Sequence, residues 1–199
     1  ILRQTPPPQY QPIRLQATGK SELKNFTKLE ILNQPVFFHG DAFFAGFYLN
    51  EIVLRLCPLE EAMPQTFEQY QLTLLQLQQL ASHKQASLFL RQILRQFEHV
   101  LLQELGYAID FSVDANQQEI SPFQQYQFQL NDGFLPVSRA SRSTLEGALI
   151  TSMQSYEDGQ DFSHEQLQLL GKLYRQMISA LLGDRPLKSR QLWIQSTQT

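Results

Sequence analysis

Two arginines four residues apart on a predicted helix are the first residues whose spacing suggests chemistry. Arg91 and Arg95 share one face of the segment 86–105, and two like charges at this spacing cost roughly a few tenths of a kcal/mol. Glu98 can neutralise one of the two arginines. The planar guanidinium of the other then suits a carboxylate or phosphate of a partner. Two solvated arginines with Glu98 nearby are the alternative interpretation.

Two short segments place basic side chains among small polar residues at predicted helix starts. Residues 138–142 read Ser-Arg-Ala-Ser-Arg, and residues 183–190 read Gly-Asp-Arg-Pro-Leu-Lys-Ser-Arg. Such segments can hold phosphate oxygens with side chains and free backbone N–H groups together. Helix capping by the serines alone is the alternative.

The formal net charge of −3 conceals an uneven distribution of charge. Residues 1–28 and 172–199 each contain five cations and one acid, whereas residues 98–165 contain eleven acids and two arginines. A fold that brings both basic ends to one face would offer a phosphate-binding surface; solvated charge on unrelated surfaces is the alternative. The candidate DNA-binding residues are Arg3, Arg14, Lys20, Lys24, Lys28, Arg139, Arg142, Lys172, Arg175, Arg185, Lys188 and Arg190.

Residue types that carry catalysis or bind metals are dispersed in this chain. The four histidines lack the spacing of a helical zinc site, and a single cysteine, Cys57, excludes an internal disulfide and a zinc site of several thiolates. The acids lie scattered in turns, whereas metal-dependent nucleic-acid chemistry needs clustered carboxylates. We therefore expect no metal, no cofactor and no enzymatic activity.

The pattern of apolar residues predicts an α+β fold. Alternation over residues 10–34 predicts a β-hairpin turning at 18–21, which needs further β-structure around it, and we expect part of a small β-domain to be missing before residue 1. Helical periodicity predicts helices over about 41–56, 65–82, 86–105, 142–154, 163–183 and 187–195. The Asp132-Gly133 pair predicts a hairpin within residues 107–137, and Ser163 with Gln166 predicts a capping box.

Two further expectations come from the first helix and from overall hydropathy. Residues 41–56 are apolar nearly all round, which is typical of a central buried helix, and Glu51 with Arg55 predicts an internal ion pair with Asn50 specifying the packing. No apolar run reaches the ~18 residues needed to cross a bilayer, so we expect no membrane segment. A chain with a single cysteine forms no internal disulfide, which is typical of proteins in the reducing cytoplasm.

Three motifs, in this order, resemble those of the RecO family of bacterial recombination mediators. They are Tyr48-Leu49-Asn50-Glu51, the segment from Phe97-Glu98 to Leu105-Gly106-Tyr107, and Pro-Leu-Lys-Ser-Arg at residues 186–190 followed by Trp193. The likeness implies two domains: residues 1–36 as the back half of an OB-fold barrel without its first strands, and residues 37–199 as a helical domain with a small β excursion near 107–137. Many members have four zinc-binding cysteines after the second motif; this chain has none there, so zinc is not implied.

The resemblance also implies a function in DNA repair and recombination, in the bacterial cytoplasm and associated with the nucleoid. It implies binding of single- and double-stranded DNA, strand annealing, capture of the acidic C-terminal tail of single-stranded DNA-binding protein, and loading of RecA with RecR. By position, Arg95 is the arginine that receives the tail, with Arg91, Leu94 and Glu98 beside it. A helical protein–protein interaction scaffold with little DNA binding, favoured by the acidic middle and the prolines at 6–8, is the alternative hypothesis. An enzyme acting on nucleic acid is a further one.

Overall fold

The computed structural model describes residues 6–20, 24–141, 143–155, 161–183 and 185–196, and these form an α+β fold dominated by helices. Short 3₁₀ turns at Leu80–Ser82 and Ser152–Ser155 extend α2 and α4. The fold class predicted from the sequence is confirmed, while the division into two domains at residue 36 stays a prediction. In chain order the elements are β1 Ile13–Thr18, β2 Asn25–Ile31, α1 Asp41–Leu56, α2 Pro64–Gln79, α3 Ala86–Glu104, β3 Gln125–Gln129, β4 Gly133–Val137, β5 Leu145–Glu146, α4 Gly147–Thr151, α5 His164–Leu182 and α6 Lys188–Ser196.

The first hairpin is an open, two-stranded antiparallel sheet, as predicted. β1 pairs with β2 from Ile13 opposite Ile31, with a register shift between Gln16 and Ala17. Its apolar side chains are poorly covered, since Phe26 is 55% and Ile31 59% exposed. An open sheet of this kind is compatible with part of an OB-fold barrel.

One tyrosine attaches this hairpin to the helices. The Tyr10 ring meets the Phe38 ring edge-on at 4.9 Å between centroids, and its hydroxyl lies over Gly46 of α1. A Cβ at position 46 would stand 2.7 Å from the Tyr10 hydroxyl, so the glycine leaves the space that the tyrosine fills. An ion pair of 2.9 Å between Lys24 and Glu60 adds a second, exposed contact.

The core lies where α1, α3 and α5 meet. Leu49 and Ile52 of α1, Phe97 of α3 and Leu170 of α5 are fully buried, which requires that the apolar stripes of the three helices face one another. The sequence predicted a central buried helix, and α1 is buried on one face only, since Leu54 is 81% exposed. α1 packs on one face against α2, α5 and α6.

The second sheet has the strand order β4–β3–β5, and the predicted Asp132-Gly133 turn connects β3 to β4. Gly133 has φ 79°, a left-handed conformation that suits glycine. The helix predicted over 142–154 begins only at Gly147, because Leu145 pairs with Tyr126 in the sheet. A Cβ at position 147 would come within 1.9 Å of the Ser121 carbonyl oxygen, so glycine permits the strand to turn into a helix there.

Helix caps are of two kinds in this fold. α5 begins with the predicted capping box, in which Ser163 accepts from the Gln166 backbone and Gln166 accepts from the Ser163 backbone. α2 has no cap from its own side chains; instead, Glu104 of α3 accepts hydrogen bonds from the backbone N–H groups of Gln65 at 3.1 Å and Thr66 at 2.6 Å. None of the helices in the described ranges is long and apolar enough to cross a membrane.

Candidate functional site

A pocket of about 480 Å³ lies among α3, α5 and α6, with Tyr48 of α1 at its base. Its walls combine apolar side chains with four arginines and one buried acid, Glu98. The apolar side chains are Leu94, Ile178, Leu182, Leu187, Trp193 and Ile194, and the arginines are Arg95, Arg175, Arg185 and Arg190. The pocket lining therefore combines positive charge with apolar surface.

The third wall of the pocket, α6, is held in place by a carboxylate from α1. Glu51 accepts hydrogen bonds from the backbone N–H groups of Lys188 at 2.9 Å and Ser189 at 2.8 Å, and from the Ser189 hydroxyl at 2.7 Å. A carboxylate at a helix N-terminus satisfies free N–H groups and complements the helix dipole. Burial alone would raise the pKa of Glu51, but the hydrogen bonds from Ser189, Lys188 and Arg55 outweigh it and lower the pKa.

Arg55 fixes the connection that precedes α6. Its guanidinium donates to the carbonyl oxygens of Leu182, Arg185 and Pro186, the shortest being 2.6 Å to Arg185, and it pairs with Glu51 at 3.4 Å. The predicted ion pair is thus confirmed. Its purpose, which the sequence did not reveal, is to fasten Leu182, Arg185 and Pro186 to α1.

Arg95 is the least exposed of the four arginines that line the pocket. Its Nη2 donates to Glu98 Oε1 at 2.6 Å, so Arg95 is the arginine that Glu98 pairs with. The other arginine, Arg91, which this pairing leaves available to a partner, lies outside the pocket lining. Gly171 of α5 lies beside this guanidinium, and a Cβ there would stand 3.4 Å from Arg95 Nη1, an ordinary van der Waals distance. Arg95 Nε finds no hydrogen-bond partner among the described residues.

Glu98 is almost completely enclosed, with 1% of its side chain exposed. Oε1 accepts from the Tyr48 hydroxyl at 2.5 Å as well as from Arg95, while Oε2 is buried without a hydrogen-bond partner in the described part of the chain. Burial raises the pKa of Glu98, and Arg95, Tyr48 and Arg175 offset only part of that rise. Burial beside Glu98 likewise raises the pKa of Tyr48 far above its usual value.

The structure brings together some of the residues predicted from the sequence and separates others. Leu94, Arg95 and Glu98 line the pocket, whereas Arg91 points outward on α3 and is not a lining residue. Three residues predicted to bind DNA, namely Arg175, Arg185 and Arg190, line the same pocket. Sequence reasoning missed Tyr48 as a pocket residue, although the Tyr-Leu-Asn-Glu motif contains it.

The remaining candidate DNA-binding residues lie apart from the pocket lining. Arg14 pairs with Glu30 at 3.5 Å and Lys24 with Glu60, both on the surface. Arg3 and Arg142 fall outside the described residues. Lys20, Lys28, Arg139, Lys172 and Lys188 are exposed. That the two basic ends share one face stays a prediction.

A second pocket, of about 410 Å³, lies between the end of α3 and the β3–β4 hairpin and carries Asp110, Asp114 and Asp132. The Asp114 carboxylate accepts from the backbone of Asn116 and Gln118, and hydrogen bonds from Ser112 lower the pKa of Asp110. Asp110 and Asp114 therefore stabilise turns. Within the described ranges, no three or more His, Cys, Asp or Glu side chains are grouped so that they could hold a metal ion.

The fold and the pocket together define an α+β protein with a pocket lined by arginines and apolar side chains, a type of site that suits an acidic segment carrying an apolar side chain. Comparison with known proteins agrees with the motifs. The family model described as "Recombination protein O C terminal" matches residues 38–191. The chain belongs to the RecO family of DNA repair and recombination proteins.

Relatives from several bacteria carry the name DNA repair protein RecO. The protein of Pseudoalteromonas translucida is 35% identical over 188 residues, which cover 94% of this chain and 76% of the relative. The protein of Pseudomonas putida is 35% identical over 183 residues, with 92% and 76% covered. The protein of Cupriavidus metallidurans is 35% identical over 189 residues, with 93% and 60% covered.

Proposed function

We propose that this chain is a non-catalytic recombination mediator whose pocket receives the acidic C-terminal tail of single-stranded DNA-binding protein. The observation that carries the proposal is a single pocket lined by four arginines and by apolar side chains, with Arg95 held by Glu98. Such an arrangement fits a peptide that has several carboxylates and ends in an apolar residue.

The two halves of the peptide would be held by different forces. A terminal aromatic side chain that packs on Leu94, Ile178 and Trp193 gains about 1.5–3 kcal/mol from burial. The carboxylates pair with Arg175, Arg185 and Arg190, which are exposed, so each pair contributes at most about 1 kcal/mol and weakens with salt. The terminal carboxylate of the peptide pairs with Arg95, whose guanidinium is already oriented by Glu98.

DNA binding is the second part of the proposal. Exposed cations of the first hairpin and of the helices, from Arg14 to Lys188, would contact phosphates of single- and double-stranded DNA without reading sequence. Capture of the tail would bring the protein to coated single strands in the cytoplasmic nucleoid, where it would anneal complementary strands and, with RecR, load RecA. Affinity for DNA should fall steeply with salt, because phosphate neutralisation releases counterions.

A protein–protein scaffold with little DNA binding is the second candidate. One observation favours it: Arg14 and Lys24 are already paired with Glu30 and Glu60, and three other predicted DNA-binding cations line the peptide pocket. Fewer free cations then remain for phosphates. Peptide binding by a chain that does not bind a single-stranded oligonucleotide at low salt would support the scaffold.

The test is fluorescence anisotropy with a labelled acidic peptide ending in Pro-Phe, measured across a salt series. We expect the wild-type chain to bind, with affinity falling as salt rises, and Arg95→Ala to lose at least about tenfold, since about 1.4 kcal/mol of charge-assisted binding is removed. Arg91→Ala is the matched variant, because Arg91 lies one turn away outside the pocket lining; it should lose about threefold or less. No binding by a folded wild-type chain would refute the proposal.

A further inference from the structure

The buried acid of the pocket is its least expected feature. A site for carboxylates would be stronger without a carboxylate of its own, yet Glu98 lines this pocket and is 1% exposed. An enclosed acid persists when it is hydrogen-bonded or paired, and otherwise it becomes protonated. Glu98 is only half satisfied: Oε1 has two donors, and Oε2 has none in the described part of the chain.

We propose that Glu98 is the specificity-determining residue of the acidic-peptide pocket: it positions Arg95 through Oε1, and it takes up a proton when a ligand carboxylate docks beside that arginine. The inference rests on the function proposed above. It adds a role for Tyr48, which acts through Glu98 as a positioning residue.

The positioning part follows from the contacts on either side of the guanidinium. Glu98 Oε1 holds Nη2 at 2.6 Å, and the Tyr48 hydroxyl donates to the same oxygen, so Glu98 cannot rotate away without losing both partners. Arg95 Nε is buried, so the guanidinium can meet a ligand only through its Nη groups. Arg95 therefore has one fixed edge and one orientation, which lowers the entropy lost when a carboxylate binds.

The uptake of a proton by Glu98 is expected from the charged groups that face it. Tyr48 from α1, Arg95 from α3 and Arg175 from α5 act on it directly, and Arg190 from α6 acts on Tyr48. A ligand carboxylate that pairs with Arg95 uses part of the positive charge that keeps Glu98 ionised. Two carboxylates that share one guanidinium repel each other, so one of them is favoured in its protonated form.

The pKa of Glu98 sets the direction in which peptide affinity changes with pH. Burial raises the pKa of Glu98 in the free pocket, and the arriving carboxylate raises it further, so the complex binds more protons than the free protein does. Peptide affinity should therefore increase as pH falls through the interval between the two pKa values, by up to about tenfold for each pH unit. Below that interval the gain stops, because Glu98 is protonated with and without ligand.

The experiment measures the affinity of the acidic Pro-Phe peptide by anisotropy from about pH 8 to about pH 5.5 at constant ionic strength. In Glu98→Gln the amide oxygen still accepts from Tyr48 and Arg95, but the charge is absent. We expect this variant to bind the peptide with little pH dependence and at least about fivefold more tightly than wild type at pH 8, with the difference narrowing as pH falls.

Tyr48→Phe supplies a readout that a merely structural role would not move. The hydrogen bond from Tyr48 lowers the pKa of Glu98, so its removal should shift the pH transition of the wild-type curve to higher pH. Melting curves identify folded variants. Because the amide of Glu98→Gln could disturb packing, Tyr48→Phe tests the same claim with the carboxylate present.

The outcomes separate the two proposals. A wild-type chain that binds no peptide at any pH overturns the proposed function and the inference with it. A wild-type chain that binds, together with a folded Glu98→Gln variant that keeps the wild-type pH slope or binds more weakly throughout, overturns the inference alone. A Tyr48→Phe transition that does not move, or moves to lower pH, also contradicts it.

Discussion

The pocket and the first hairpin both carry basic residues, but they present them in opposite ways. In the pocket, Arg95 is 18% exposed and is held by a carboxylate that is 1% exposed. In the hairpin, Arg14 is 66% exposed and faces a Glu30 that is 45% exposed, across 3.5 Å. A fixed, partly desolvated cation gives orientation and selectivity, whereas a solvated cation gives only screened attraction.

Under the proposed function, the two regions would take different ligands. A peptide carboxylate requires one orientation, which the enclosed guanidinium of Arg95 would provide. A DNA backbone offers many equivalent phosphates, for which mobile surface cations suffice. We therefore expect changes in the pocket to act on peptide binding and changes in the hairpin to act on the salt dependence of DNA binding.

The largest effect is expected from Glu51→Ala, which removes the acceptor at the start of α6 and the acid that pairs with Arg55. The free energy of unfolding should fall by about 3 kcal/mol, since charge-assisted hydrogen bonds are lost and a partly buried arginine is left without its acid. Peptide affinity should fall at least about tenfold, because α6 forms a pocket wall. Denaturant unfolding and anisotropy measure the two effects.

The control for that change is Glu30→Ala in the hairpin, which breaks an exposed ion pair and should alter the free energy of unfolding by less than about 1 kcal/mol. Equal effects of Glu51→Ala and Glu30→Ala would remove the distinction between the two regions.

A smaller effect is expected from Gly46→Ala, which puts a methyl group 2.7 Å from the Tyr10 hydroxyl and 3.2 Å from the Phe38 ring. Overpacking of this kind should lower the free energy of unfolding by about 1–3 kcal/mol. Peptide affinity should stay within about twofold of wild type, because the hairpin and not the pocket is displaced. Thermal or denaturant unfolding is the measurement.

Tyr10→Phe is the matched variant for Gly46→Ala, since it removes a buried hydroxyl that has no partner among the described residues and keeps the ring. It should be neutral or slightly stabilising, by up to about 1 kcal/mol. Loss of peptide binding in Gly46→Ala, with the fold intact, would show that hairpin and pocket are not independent.

The smallest effect is expected from Arg14→Ala. The free energy of unfolding should change by less than about 0.5 kcal/mol, and the slope of the logarithm of DNA affinity against the logarithm of salt concentration should become shallower by up to about one. Titration of a single-stranded oligonucleotide at several salt concentrations measures it. A drop in peptide affinity comparable to that of Arg95→Ala would place the hairpin in the peptide site.

Local features of the fold could be predicted from the sequence because short-range rules govern them. The capping box of Ser163 and Gln166, the turn at Asp132-Gly133 and the pairing of Arg95 with Glu98 involve residues no more than three apart. The helix ends were within a few residues of the observed ones, except for α4. Its start at Gly147 depends on a carbonyl of Ser121 that sequence periodicity does not report.

Features of the pocket that depend on distant residues could not be predicted in the same way. Glu51 and Ser189 are 138 residues apart, and Tyr48 and Glu98 are 50 apart. The motifs that carry the family resemblance contain all four residues, so the resemblance marked them without saying what they contact. Their shared role, which is to assemble one pocket from three helices, became visible only in the fold.

The most direct test of the account uses the one tryptophan of the chain, Trp193, which lines the pocket and stacks on Phe44 at 6.0 Å between ring centroids. An acidic peptide ending in Pro-Phe carries no tryptophan, so a change in emission reports the pocket itself. We predict a saturable change in Trp193 fluorescence with the same dissociation constant as the anisotropy titration, and its loss in Arg95→Ala. Peptide binding seen by anisotropy without any change in Trp193 emission would contradict the placement of the peptide in this pocket.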